Sequence, residues 1–486
     1  LGKSKTTLGS LANQKSAMSY WQQKIYPALP VPFQHAAVSA YGWKWMKRRF
    51  GGIYEEEYIK FLNRESFTAD QWESYQTGQL RKILLHAWDT VLYYQQAFKN
   101  SGISRNSLAK FELSDLWQLP MLSKETLRKE GTKSLLSFKP EAKGSFFSSS
   151  GSTGTPTQIC YSHTFHQRLS AAYEARVRNW GGVNRFTPRA MIGGRRVLPE
   201  GVAKAPFGRF NYFEKQLYLS AYHISRNTAQ EYLNQIVHYK SEYMVGYAMS
   251  HFFLARFIDE LNLEAPPMKA VLTSSEKLTP DMRGLFNKVY GCKTFDGWSG
   301  VENCGLISQT ENDELLVSPD VGILEVIKSD GEPAQPGEIG ELVCTGLLNF
   351  DQPLIRYKIG DQVRLRKAQT TRCGRSMPVI EEIIGRVEDV VIGKDGRELV
   401  RFHAIFINLT TVQQAQVVQE SLNDFVVNVV PSGKLSETDK LMMASRMKSQ
   451  LGEVNIEFKV MTSLPLGPGG KFKSVVSKIQ RISTTK

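Results

Sequence analysis

Six hydroxyl side chains and two glycines fall within nine consecutive residues: Ser148, Ser149, Ser150, Gly151, Ser152, Thr153, Gly154, Thr155 and Pro156. An anion-holding loop needs backbone N–H groups that converge on one point, and glycine lets the backbone approach without a Cβ in the way. The hydroxyls would add donors around that point, as a pair of phosphate groups requires. The run lacks the Gly-Lys-Ser/Thr ending of a Walker loop, so P-loop NTPase chemistry is not indicated. A flexible Ser/Gly linker has the same composition. On the loop alone both readings stand.

Few other residues announce chemistry by themselves. The five cysteines, Cys160, Cys292, Cys304, Cys344 and Cys373, include no CxxC pair, which excludes a disulfide framework or a zinc knuckle and leaves reduced thiols. Trp43-Lys44-Trp45-Met46-Lys47-Arg48-Arg49-Phe50 interleaves aromatics with cations, as an interfacial anchor or a nucleic-acid contact would. The preferred reading is plainer: a short helix whose aromatic side packs on the body while its cations stay solvated. A formal net charge of +14 would attract polyanions, phosphorylated substrates or an anionic membrane surface.

The elements that would position a phosphate loop can be traced from periodicity. Helical spacing begins just after Thr77-Gly78 with Gln79 to Trp88, and the first 120 or so residues read as mainly helical. Beyond them, short β-rich runs such as Lys269 to Thr273 alternate with amphipathic helices such as Thr228 to Lys240, which predicts α/β layers with parallel pairing. The texture shifts again near Ile383-Ile384-Gly385-Arg386. The chain beyond that shift reads as a split βαβ unit: a strand over Phe425 to Val430, a helix opened by Ser436 with Asp439 three residues on, and a strand over Val454 to Val460. Met443, Met447 and Leu451 would be that helix's buried stripe.

Three further segments carry a resemblance. Leu119-Pro120-Met121-Leu122-Ser123-Lys124-Glu125, Val271-Leu272-Thr273-Ser274-Ser275-Glu276 and Asn349-Phe350-Asp351-Gln352-Pro353-Leu354-Ile355-Arg356-Tyr357-Lys358-Ile359-Gly360-Asp361 occur in this order around the Ser/Gly/Thr loop. Together they make the chain resemble the adenylate-forming superfamily of acyl-CoA synthetases, and within it the branch of phenylacetate:CoA ligases and CapK-type capsular-polysaccharide proteins. The resemblance runs through nearly the whole chain. The Asn349 to Asp361 segment is its most specific part.

That resemblance implies a site. The Ser148 to Pro156 loop, Ser275, Glu276 and Trp298 would bind nucleotide, with Trp298 on adenine. Asp361 would accept hydrogen bonds from the ribose, although a bare Gly-Asp is more often a turn. Arg386 would touch ribose or phosphate; otherwise it would pair with Glu388 or Asp389. Glu302 would help hold Mg²⁺, a hard cation that takes carboxylate oxygen. Lys471, in Gly469-Gly470-Lys471-Phe472-Lys473, would be the mobile ammonium between the α-phosphate and the attacking carboxylate, and Glu388 the hinge that moves it. His223 and Tyr247 would border the acid pocket. Trp298-Ser299-Gly300-Val301-Glu302 departs from the family's aromatic-Gly-x-Thr-Glu pattern, because Val301 has no hydroxyl to offer a phosphate. Relatives sometimes carry a cysteine-rich zinc site near Thr371-Arg372-Cys373-Gly374; with one cysteine there, no structural metal is expected.

The resulting expectation is an α/β protein with a large multi-layer N-terminal domain over 1–385, helical over 1–120, and a small mobile α+β lid over 386–486. It would use ATP and Mg²⁺ to activate a small-molecule carboxylate, a sugar or amino-acid derivative among the options. The acyl group would pass to CoA or an amine, in surface polysaccharide assembly. AMP transfer as the final step and a non-catalytic nucleotide-binding scaffold are the alternatives. No run of ~18 apolar residues predicts a membrane span, and no apolar stretch comes after Leu1-Gly2-Lys3-Ser4-Lys5 as in a signal peptide. The expected setting is the cytoplasm, with the anionic inner membrane face as an optional peripheral contact and no nucleic acid partner. The chain does not begin with Met, so its natural N-terminus is left open, as is its oligomeric state.

Overall fold

The structure is a computed structural model that describes residues 25–148, 157–193, 197–198, 204–221, 223–274, 278–328, 330–384, 391–394, 398–399, 405–406, 409, 411–462, 464 and 475–479. Its N-terminal part is helical, with helices at Val31–Phe50, Tyr54–Asn63, Ala69–Thr90 and Leu92–Asn100. The third starts earlier than periodicity suggested. Thr68 and Gln71 form a capping box in which the Gln71 N–H donates to Thr68 Oγ1 (3.3 Å) and the Thr68 N–H to Gln71 Oε1 (2.9 Å). Gly78 lies inside this helix, and an added Cβ there would meet nothing within 4 Å. Leu80, Ile83, Leu84 and Ala87 are its buried stripe in the main core.

Among the described residues, fourteen strands precede residue 385. A hairpin of β1 (Gly144–Ser148) and β2 (Gln158–Ser162) stands apart. The others are β3 (Arg189–Gly193), β4 (Gly208–Asn211), β5 (Gln216–Ser220), β6 (Tyr243–Tyr247), β7 (Ala270–Ser274), β8 (Lys293–Trp298), β9 (Ile307–Gln309), β10 (Leu315–Val317), β11 (Gly322–Ile327), β12 (Ile339–Gly346), β13 (Tyr357–Leu365) and β14 (Val379–Ile383). They form one 12-stranded sheet in the order β11-β12-β13-β14-β10-β9-β8-β7-β6-β3-β5-β4. From β5 to β8 every pairing is parallel, and the flanking pairings are antiparallel. The parallel strands are largely buried, and helices Ala229–His238, Ala248–Glu260 and Pro280–Tyr290 are their crossovers. Strand spacing is tight at Gly246 (φ +140°), where a Cβ would stand 1.8 Å from the Ile192 carbonyl oxygen.

The C-terminal unit has the elements expected from its periodicity. A four-stranded sheet pairs β19 (Asn455–Val460), β18 (Asp424–Pro431), β17 (Val412–Gln419) and β20 (Val475–Ser477) in that order, after a short ladder of β15 (Val391–Ile392) and β16 (Glu398–Leu399). Between β18 and its parallel neighbour β19 runs helix Glu437–Leu451, whose N-cap Ser436 accepts the Asp439 N–H (3.1 Å). Met443, Met447 and Leu451 are buried in this unit's own core. Among the described residues no helix is long and apolar enough to cross a membrane.

Candidate active site

The C-terminal ends of the parallel strands lie side by side, and Tyr247, Trp298 and, just past β5, His223 sit there. Ser220 ends β5, Gly193 β3, Tyr247 β6, Ser274 β7 and Trp298 β8. Register pairs Gly193 with Ser220, Ile192 with Gly246, and Ser274 with both Tyr247 and Gly297. Ligands of open α/β sheets bind outside this edge. His223 therefore lies at one end of the row and Trp298 at the other, with Tyr247 between them.

The acid-pocket candidates are well anchored. His223 Nδ1 shares a 2.7 Å hydrogen bond with Ser220 Oγ, and its ring stacks on Phe207 at 5.2 Å. Its backbone carbonyl accepts from Thr228 Oγ1 (2.7 Å). Tyr247 stands beside Gly193, where an added Cβ would come within 3.9 Å of its ring.

At the other end, the Trp298 indole N–H donates to Asp361 Oδ2 at 3.1 Å, which joins two residues 63 positions apart. Trp298 is only 8% exposed and its ring belongs to the main core, so its clearest contact is the one that orients Asp361. Glu302 is buried. Its Oε1 accepts from Thr157 Oγ1 (3.2 Å) and Tyr357 Oη (3.1 Å), while an added Cβ at Gly300 would stand 2.6 Å from Oε2. Glycine at 300 leaves that oxygen space. Burial, and then the Glu302 charge, hold the Tyr357 phenol well above its ordinary range, so it remains a donor to this carboxylate. Val301 packs on the main core, and its carbonyl accepts from Tyr161 Oη (2.5 Å).

The loop from Ser149 to Pro156 lies outside the described residues, but both of its ends are fixed. Ser148 pairs with Gln158 at the tip of the β1–β2 hairpin, and fully buried Thr157 is tied to Glu302. The hairpin is held in turn by the Asn349 to Asp361 segment. Gln352 Oε1 accepts the Cys160 N–H (2.6 Å) and Asn349 Nδ2 donates to the Cys160 carbonyl (3.2 Å). Arg356, with φ +46°, makes a bidentate pair with Glu325 (2.9 and 2.8 Å) and donates to the carbonyls of Trp117 and Leu119. Leu122 and Tyr357 are bridged, so two segments of the family resemblance meet in space. Ser275, Glu276, Arg386, Glu388 and Lys471 fall outside the described residues.

Thr157, Tyr161, Tyr357 and Asn303 were not singled out as site residues, yet they frame Glu302. Asp296, on β8, was missed as well. Burial pushes its carboxyl up to about 6 against the opposing charge of Arg283 and the Gly297 N–H. Beside Cys373, Glu314 accepts the N–H groups of Arg372 (2.8 Å) and Cys373 (3.2 Å) and pairs with Arg366 (2.6 Å). Among the described residues, no group of three His, Cys, Asp or Glu could hold a metal ion.

Residues 391–478 match the CapK C-terminal domain family. Protein CapK of Staphylococcus aureus is 26% identical over 94% of this chain and 99% of its own. A phenylacetate-coenzyme A ligase of Thermus thermophilus is 27% identical over 70% of this chain and 74% of its own. Among solved structures, 2-hydroxyisobutyryl-CoA ligase in complex with 2-HIB-AMP and CoA superposes with a TM-score of 0.59 at 20% identity, over 85% of this chain and 91% of that one. These similarities relate the chain to adenylate-forming, acyl-CoA synthetase-like proteins. Among its relatives, CapK is matched over nearly the whole chain and the phenylacetate-coenzyme A ligases over about two thirds of it.

Proposed function

We propose that this chain uses ATP to activate a small-molecule carboxylate as an acyl-adenylate and then transfers the acyl group to an acceptor, CoA or an amine. The observation that carries the reading is the single row at the strand ends, with an acid-pocket candidate, His223, at one end and the Trp298–Asp361 pair at the other. A carboxylate held near His223 and Tyr247 would meet the α-phosphate of an ATP whose ribose lies on Asp361. Proximity of that kind can itself supply much of the rate.

The phosphates would lie between the Ser148 to Thr155 loop and Glu302, the two being linked through Thr157. Mg²⁺ is usually bound by one or two carboxylates plus substrate phosphates, so Glu302 Oε2 beside Gly300 fits without a dedicated cage. The metal would neutralise charge on the leaving pyrophosphate. Ser275 and Glu276, directly after β7, are proposed to meet the nucleotide between Tyr247 and Trp298, and Arg386 its ribose or phosphate. Lys471 would bridge the two anions as a carboxylate oxygen bonds to the α-phosphorus and pyrophosphate leaves. Movement at Glu388 would then withdraw Lys471, and the acceptor thiol or amine would attack the acyl carbon, releasing AMP and a proton.

CoA is favoured as acceptor by relatives named as CoA ligases, and surface polysaccharide assembly is suggested by the CapK kinship. Dependence on ATP favours the cytoplasm as the setting. One observation favours a second reading, a nucleotide-binding scaffold: Val301 packs its side chain on the core and offers phosphate no hydroxyl. Incubation with ATP, Mg²⁺ and a panel of acids, with and without CoA, separates the two. Acid-dependent AMP and pyrophosphate, with a thioester when CoA is present, are expected; ADP and phosphate, or no turnover with any acid, would contradict adenylation.

A further inference from the structure

The charge of this chain is unevenly placed. Residues 1–54 contain eight Lys and Arg and no Asp or Glu, against a whole-chain excess of +14. Helix Val31–Phe50 falls within that stretch; Trp45 and Phe50 pack on the body and Lys44 and Lys47 stay exposed, as expected, but other side chains of the helix do not follow that division. Two of its cations turn inward: Arg48 donates to the Tyr161 carbonyl (2.6 Å) and His166 Nδ1 (3.2 Å), and Arg49 pairs with buried Glu214. The inward face is Gln34, His35, Ser39 and Gly42. Three of its aromatics, Phe33, Tyr41 and Trp43, point out. Phe33 is 62% exposed and Trp43 43%, on the same face as Lys44 and Lys47, and Lys47 Nζ sits 3.9 Å over the Trp43 ring.

A second segment extends this face. The Tyr212 N–H donates to Ser39 Oγ (3.1 Å), which sets the turn after β4 against the helix one turn from Trp43. Tyr212 (61%) and Phe213 (55%) project there into solvent. The nearby acid, Glu214, is buried in its pair with Arg49. The exposed aromatics thus come from two chain segments nearly 170 residues apart, held together by the fold, with lysines among them.

We propose that this face docks on an anionic lipid surface. Aromatic rings of this kind settle at the headgroup boundary, and lysines reach anionic headgroups while their stems cover apolar surface. A nucleic acid would call for a longer track of outward cations than Lys44 and Lys47 provide. With no helix able to span among the described residues, the mode is lying on the membrane rather than crossing it. Docking of this kind would bring the enzyme to an amphiphilic acid or acceptor, but it does not depend on catalysis.

The test is co-sedimentation of the full chain with vesicles of phosphatidylcholine alone or with about 30% phosphatidylglycerol. Binding is expected only to the anionic vesicles. The double variant Lys44→Gln/Lys47→Gln should weaken it about thirtyfold, at roughly 1 kcal/mol per lysine near the surface. Trp43→Ala/Phe213→Ala should also weaken it, and all variants should melt at the temperature of the unaltered chain because the side chains are exposed. Equal binding to both vesicles, anionic binding unchanged in the variants, or binding to duplex DNA but not to vesicles would overturn the proposal.

Discussion

A carboxylate that serves a cation must be aimed and kept from the nearest arginine. Glu302 meets these conditions through neutral donors, the hydroxyls of Thr157 and Tyr357, rather than through an ion pair. Glu302→Gln should therefore lower the adenylation rate by about 10²–10³, the usual cost of losing one aimed electrostatic group, with a smaller effect on nucleotide binding. Isothermal titration beside a rate measurement distinguishes the two. Asp361→Asn should act on binding instead, raising the KM for ATP roughly tenfold or more, since hydrogen bonds to a charged acceptor contribute about 1.5–3 kcal/mol. Asp296 gives a pH signature. Its folded-state pKa is raised from 3.8 to about 6, so the folded state holds a proton that the unfolded state has lost, and stability falls as pH rises through that window. Asp296→Asn should be more stable than the unaltered chain at about pH 8 by up to about 3 kcal/mol, with the difference gone near about pH 4 in paired thermal melts. Glu302, Asp361 and Trp298 were singled out in the sequence because motifs mark them. Thr157, Tyr161 and Tyr357 were not, since their partners lie 145, 140 and 55 positions away and no local pattern encodes such a contact.

Elements show the same division between local and distant causes. The split βαβ unit was legible because its signals are local: Ser436 with Asp439 at the cap, and Met443, Met447 and Leu451 at helical spacing. The start of helix Ala69–Thr90 was misjudged because Gly78 reads as a breaker, while the capping box at Thr68 overrides it. In helix Val31–Phe50, Arg48 and Arg49 depart from the expected solvated cations for a tertiary reason: Glu214 and the Tyr161 carbonyl draw Arg49 and Arg48 inward. The Arg356 segment shows how a motif can be structural as well as functional. Its guanidinium joins β11 to the helical N-terminal part, next to the strand that carries Asp361. Arg356→Ala would leave Glu325 largely buried without its partner, and a loss of about 3–5 kcal/mol is expected in urea unfolding. Arg356→Lys should recover only part of it, because an ammonium cannot replace the bidentate fork.

On the scale of the whole molecule, the sheet does the assembling. Five parallel strands bring residues between 193 and 298 to one edge, and the antiparallel strands beyond β8 return Asp361 to the same place. The remaining group belongs to the C-terminal unit, whose span 391–478 matches the CapK C-terminal domain and contains Lys471. On the proposed account Lys471→Ala abolishes adenylation while ATP binding, measured by titration, is largely kept. Exchange at the natural rate in that variant would remove Lys471 from the mechanism. The central claim is that this site forms a mixed anhydride between an acid and AMP. Exchange of labelled pyrophosphate into ATP tests it most directly: the account predicts exchange that requires both Mg²⁺ and a specific carboxylate and is lost in Glu302→Gln, whereas exchange that ignores the carboxylate, or none across a broad panel of acids, would contradict it.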